Sequence, residues 1–186
     1  MRVTLLVALL LASAVPVSGA ILDGAILQQS GQGRFIVLDA SQPFAVGQDH
    51  FDDDNLYAFD EAQMITLTRA LAVDIGGTPE GVLPIGTELA SHYVFFDSVQ
   101  SSHFAYVVFD APILGVATRQ ATLAASDDLA GTTVRYVSPE LRGLETGDEV
   151  WIDPEDPHRL FLLWAGSSPG DYIRVFTAAP GDPPLM

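Results

Sequence analysis

Ile65-Thr66-Leu67-Thr68-Arg69-Ala70-Leu71-Ala72-Val73-Asp74-Ile75 decides the fold class. Its odd positions are large and apolar (Ile65, Leu67, Leu71, Val73, Ile75), with Arg69 as the interruption. Its even positions (Thr66, Thr68, Ala70, Ala72, Asp74) are small or polar. A strand points successive side chains to opposite faces, so this period of two predicts extended chain with one buried face. The same reading extends outward. Glu88–Asp97 (ELASHYVFFD) and His103–Asp110 (HFAYVVFD) are rich in the aromatic and β-branched residues that fit a pleated sheet. Ser98–Ser102 between them suits a hairpin loop. Further strands are predicted at Arg34–Asp39, Ile113–Thr118, Thr133–Val137, Glu149–Ile152, Arg159–Ala165 and Asp171–Thr177.

Turn chemistry separates these segments. Gly76-Gly77-Thr78-Pro79, Leu83-Pro84-Ile85-Gly86, Ser138-Pro139, Asp153-Pro154 and Ser168-Pro169-Gly170 each carry the proline or glycine that a reversal needs. About nine or ten strands with such punctuation, and no long helical stripe, predict an all-β single domain, a β-sandwich or jelly-roll-like fold. Short helical turns are expected at Asp60–Met64 and Ser126–Leu129, where Asp and Ser can cap.

The N-terminus predicts the compartment. Arg2 supplies a positive start, Leu5–Ala14 an apolar run, and Ser18-Gly19-Ala20 the small residues of a cleavage site. A spanning helix needs about 20 apolar residues, and Pro16, Ser18 and Gly19 interrupt this run. The expected organisation is a signal peptide over 1–20, a β-sandwich domain over 21–177 and a flexible, proline-rich tail over 178–186. The mature chain is thus expected to be secreted or periplasmic, with no membrane attachment after cleavage.

Composition narrows the partners. The 8 basic residues are all arginine and face 24 acids, a net charge of −16. Such a field repels phosphate backbones, so nucleic acid is not an expected partner. The chain has 0 Cys, so disulfides and thiol chemistry are excluded. Oligomeric state has no signature here.

Asp49-His50-Phe51-Asp52-Asp53-Asp54-Asn55, with Asp60 beyond, is the densest chemical feature. Crowded carboxylates suit calcium, which takes 6–8 oxygen ligands at roughly 2.3–2.6 Å. Asp49, Asp52, Asp54 and Asp60 are the candidate ligands, although the spacing is not that of an EF-hand. Trp151 sits between Val150 and Ile152 and points opposite both, which makes it a candidate sugar platform. Trp164, in an apolar run, reads as core. Gly166-Ser167-Ser168-Pro169-Gly170 matches G-x-S-x-G, but Pro169 has no N–H for an oxyanion hole, so the segment reads as a turn. Hairpin pairing sets His103 opposite Asp97 and His92 near Val108, too far apart to share a zinc ion. No catalytic residue is assigned.

Several phrases together resemble exported bacterial proteins of the PEP-CTERM-associated type. They are Ser91-His92-Tyr93-Val94-Phe95-Phe96-Asp97, Phe109-Asp110-Ala111-Pro112-Ile113-Leu114-Gly115-Val116, Ser126-Asp127-Asp128-Leu129, Arg142-Gly143-Leu144-Glu145 with Asp148, and Ser168-Pro169-Gly170-Asp171-Tyr172-Ile173-Arg174-Val175. The resemblance implies an exported β-rich domain associated with exopolysaccharide producers, and brings no catalytic residues. This chain lacks that group's C-terminal sorting motif, ending Pro183-Pro184-Leu185-Met186. The function expected is a non-catalytic binding or structural role in extracellular polysaccharide material, with calcium as a brace. The alternative is a polysaccharide hydrolase or lyase using a carboxylate pair.

Overall fold

The computed structural model describes residues 19–179 apart from Val99, Thr132 and Ser167. The expected signal peptide therefore lies outside the described residues except for Gly19 and Ala20, and so does the expected tail from residue 180 onward.

In chain order the strands are β1 (Ile21–Gln29), β2 (Phe35–Val37), β3 (Ala45–Val46), β4 (Leu56–Asp60), β5 (Ile65–Thr66), β6 (Leu71–Ala72), β7 (Ile75–Gly76) and β8 (Val82–Leu83). They continue with β9 (Glu88–Phe96), β10 (Ser102–Phe109), β11 (Ile113–Ala117), β12 (Arg135–Tyr136), β13 (Glu149–Asp153), β14 (Asp156–Ala165) and β15 (Asp171–Ala178). One short helix, α1 (Gln120–Ala125), is followed by a 3-10 turn at Asp127–Leu129, where a helical turn was expected.

The molecule is an all-β sandwich. A four-stranded antiparallel sheet runs β1-β10-β14-β13. It packs on a larger sheet ordered β2-β4-β9-β15-β11-β7, with β5 also on β9. Between them lie Ala105, Val107, Phe109, Leu160, Leu162 and Trp164 from the first sheet, and Ala58, Val94, Phe96, Ile173 and Val175 from the second. The far face of the larger sheet is apolar too: Tyr57, Phe59, Tyr93, Phe95, Tyr172 and Phe176 are buried with Leu123 of α1 and with Leu67, Leu71 and Val73. β9 and β15 are consequently buried almost end to end, with Ser91, His92, Asp171, Arg174 and Thr177 as buried polar residues among their apolar ones.

The opening segment, 65–75, keeps its alternation and loses its continuity. Leu67, Leu71 and Val73 are buried and Arg69 is exposed, but the chain pairs in turn with β9, β8 and β11. It is a ribbon laid over the second core, its ladder divided among three partners.

Two local expectations are corrected. β9 and β10 are not a hairpin: β9 pairs with β4 and β15, β10 with β1 and β14, and Ser98–Ser102 crosses between sheets. The reason is burial. β9 carries apolar residues on both faces and needs cover on both, which the centre of the larger sheet supplies. The Phe96 and His103 rings then meet across the sandwich at 4.1 Å, and His92 sits against Phe109 at 4.9 Å. Asp60–Met64 forms no helical turn: Asp60 ends β4, and Glu61 N–H donates to Ser91 O at 2.9 Å while Ser91 N–H donates to Ala62 O at 2.8 Å. Continuing the ladder satisfies these backbone groups that a local cap would have competed for.

Candidate functional site

The registers gather one end of the sandwich. Gln29 ends β1, Phe96 ends β9 and Ala165 ends β14, while Leu56, Ser102, Glu149 and Asp171 begin their strands beside them. Two surface features meet there.

The first is aromatic. On the outer face of the four-stranded sheet, Phe161 of β14 stands opposite Tyr106 of β10 on one side and Trp151 of β13 on the other. Val150 and Ile152 pack inward, so Trp151 faces out as its neighbours require, whereas Trp164 is 1% exposed in the core. Trp151 and Phe161 stack at 5.4 Å, Phe104 and Phe161 at 5.6 Å, and Phe104 and Trp151 at 6.0 Å, with planes tilted by 25°, 21° and 13°. These half-buried rings form a nearly parallel trio. The Arg159 guanidinium lies 5.9 Å from the Tyr106 centroid and 6.0 Å from that of Phe161, and Asp156 holds it at 2.9 Å. Phe104 and the exposed Leu163 also line a shallow groove of about 300 Å³, together with Gln28, Gln29, Ser30, Ser102 and His103. An apolar surface beside neutral amides and hydroxyls suits a ligand with C–H faces and many hydroxyls.

The second feature is the acidic loop, which shares Ser30 with that groove through a neighbouring hollow lined by Asp52, Asp54 and Ser98. Its organiser is Asp97. That buried carboxylate accepts N–H bonds from Asp49 at 3.3 Å, His50 at 2.9 Å and Phe51 at 3.0 Å, and the Tyr172 hydroxyl at 3.2 Å. Burial and the neighbouring Asp97 carboxylate push the Tyr172 phenol well above its ordinary range. Asp49 and Asp52 both have positive φ, 56° and 48°, a conformation Asp tolerates better than most residues. Carboxylate oxygens of Asp49, Asp52 and Asp97 lie within 4.8 Å of one another.

The four sequence-chosen ligands therefore divide. Asp49 and Asp52 come together. Asp54 turns aside to accept Gln32 N–H at 3.0 Å and the Ser98 hydroxyl at 3.2 Å, and the hydroxyl of Ser101 with Gln32 N–H holds its carboxyl below the usual range. Asp60 stands at the opposite end of β4, accepting His92 Nδ1–H at 2.7 Å and Ile21 N–H at 3.1 Å. The third carboxylate, Asp97, is not among the ligands expected from the sequence. Its signal was position, directly after an apolar strand, but only the loop folding back from residue 49 reveals its use. Ser168 donates to Asp49 Oδ1 at 3.0 Å from the turn between β14 and β15.

Two buried polar groups were also unforeseen. The Arg174 guanidinium, fully buried, donates to Glu61 at 2.7 and 2.9 Å, to Leu123 O at 3.0 Å, to Ser126 at 2.7 Å and to Asp127 at 3.2 Å. Arg142 makes a two-pronged pair with Asp127 at 2.9 and 2.7 Å, and Tyr136 donates to Glu61. Tyr93 and Tyr136 lie 5.4 and 5.6 Å from the Arg174 guanidinium. At the loop-bearing end of the sandwich, Asp171 is 1% exposed. Burial, reinforced by the neighbouring Asp148 carboxylate, pushes its pKa up to about 9. Burial also pushes His103 nearby down to about 4. Two loop acids are also occupied: Asp128 by Arg69 at 2.6 Å, and Asp148 by Ala165 N–H at 2.9 Å and Glu145 N–H at 3.1 Å.

No family model, curated protein or solved structure matches this chain.

Proposed function

We propose that this chain is an exported, non-catalytic β-sandwich that binds extracellular polysaccharide along the outer face of its four-stranded sheet. The observation that carries the reading is the nearly parallel trio of Phe104, Trp151 and Phe161, whose Phe104 also lines a groove with Gln28, Gln29, Ser30 and Ser102. Sugar rings offer C–H faces to aromatic planes and hydroxyls to amides, and this surface has both within one groove. A net charge of −16 disfavours acidic polymers, so neutral hexose polymers are the substrate class. Calcium, held by Asp49, Asp52 and Asp97, braces the loop beside the groove and takes no chemical step. The resemblance to exported proteins of exopolysaccharide producers agrees with this reading.

Affinity electrophoresis through gels containing neutral polysaccharides tests it. Retardation of the wild-type chain should be lost, by at least tenfold in dissociation constant, in Trp151→Ala and Phe104→Ala. Equal retardation of all three would overturn the site. Release of reducing ends by the wild-type chain would favour the carboxylate-dependent hydrolase instead.

A further inference from the structure

The end of the sandwich away from the loop cluster holds an acceptor that only a processed chain can use fully. Asp60 Oδ1 accepts the Ile21 backbone N–H at 3.1 Å and the His92 Nδ1–H at 2.7 Å. The His92 side chain is fully buried, and its Nε2 is hydrogen-bonded to the Thr177 hydroxyl at 3.0 Å, which fixes the ring. The Ile21 side chain packs against the sandwich core, and Ile21 stands opposite Phe109 in the β1–β10 ladder. Nitrogen, carboxylate and imidazole are thus fixed by three different strands. Of the two residues just upstream, Ala20 O accepts Asp110 N–H at 3.0 Å, and the buried Gly19 lies against Ala90, Gln63 and Thr177.

From this geometry we propose that proteolytic cleavage between Ala20 and Ile21 creates an α-ammonium group that forms an internal ion pair with Asp60. The proposal rests on the export reading of the first twenty residues. Hydrolysis of the Ala20–Ile21 peptide bond gives a carboxylate on Ala20, which leaves with the upstream segment, and an amine on Ile21, which is protonated at neutral pH. The nitrogen need not move, because its contact with Asp60 already exists. One amide hydrogen bond becomes a charge-assisted one, the stronger kind. Asp60 of β4 touches the new terminus and shares its carboxylate with His92 of β9, while Asp110 lies beside Ala20 and His158 of β14 reaches the carbonyl of Phe109, the ladder partner of Ile21; the carboxylate in direct contact favours a cation at residue 21.

The test compares three chains of otherwise identical sequence: one beginning with a free Ile21 amine, the same chain acetylated at Ile21, and a free-amine chain carrying Asp60→Asn. At pH 7 the free amine should unfold several degrees above the acetylated chain. Nitrogen-15 NMR should show the Ile21 amine titrating above the ordinary α-amino value of about 7.7–8.0. Asp60→Asn should abolish that upward shift. Equal unfolding temperatures of free and acetylated chains, or an unshifted amine, would overturn the ion pair. The intact mass of the exported protein checks the cut separately: a chain beginning at Ile21 supports the proposal. A different first residue overturns it at the export reading, whatever the amine does.

Discussion

Single side chains hold this fold at points that no periodicity marks. Arg174 falls on a largely apolar strand, and it is fully buried because Glu61, Ser126, Asp127 and Leu123 O together satisfy its donors. Removing one member leaves a charge stranded in the core, a cost of about 3–5 kcal/mol. Arg174→Met should therefore lower the unfolding free energy by about that amount in urea titration. Adding Glu61→Gln should restore part of it, because the stranded carboxylate is then gone; a loss well under 1 kcal/mol for Arg174→Met would contradict the network. Asp171 makes a prediction of opposite chemistry. Its pKa is about 9 in the folded chain and near 3.8 when exposed, so the folded state binds the extra proton between those values. This contribution to stability is complete below pH 3.8 and is lost as pH rises toward 9. His103 works the other way, its contribution present above about 6.5 and lost as pH falls toward 4. Asp171→Asn should flatten the stability profile across the whole interval from about pH 4 to 9 and leave it unchanged below pH 3.8. An unchanged slope between pH 7 and 9 would contradict a buried, protonated Asp171.

The acidic loop and the strands around it show what elements added to the residue pattern. The cluster at 49–55 was legible as chemistry, but its ligand set was not, because Asp97 is 42 or more positions away along the chain and joins only when β9 ends beside the loop. Calcium should raise the unfolding temperature of the wild-type chain, with a stabilisation of about 2.7 kcal/mol at a hundredfold excess over the dissociation constant. Magnesium should do less, since it demands tighter octahedral geometry. The gain should vanish in Asp49→Asn with Asp52→Asn, while an equal calcium shift in wild type and double variant would remove the ligand assignment. Pairing was illegible for a related reason. Ser98–Ser102 could close a hairpin or cross a sandwich, and the choice is set by the burial of both faces of β9, a property of the assembled sheets. β4 was passed over because four consecutive buried residues, Leu56–Phe59, show no alternation when both faces are covered. β1 was passed over because it is an edge strand with two register shifts and several exposed positions.

At the scale of the whole molecule, the period-two pattern sufficed for the class, since a sandwich is what such strands build without long helices. It also sufficed for the outward face of Trp151, because that follows from its two inward neighbours. It could not show that Phe104 and Phe161, one from each of two other strands, would stack beside it, and the aromatic surface exists only through the β10-β14-β13 order. Charge acts over the same scale: a surface this acidic resists anionic polymers and leaves neutral ones free to approach. The two tryptophans give a direct readout, because Trp164 is 1% exposed and Trp151 lies on the proposed binding face. The decisive measurement is a fluorescence titration of the protein with a soluble neutral polysaccharide. The account predicts a saturable change in tryptophan emission that disappears in Trp151→Phe and persists in Trp164→Phe; no change, or the same change in Trp151→Phe, would contradict it.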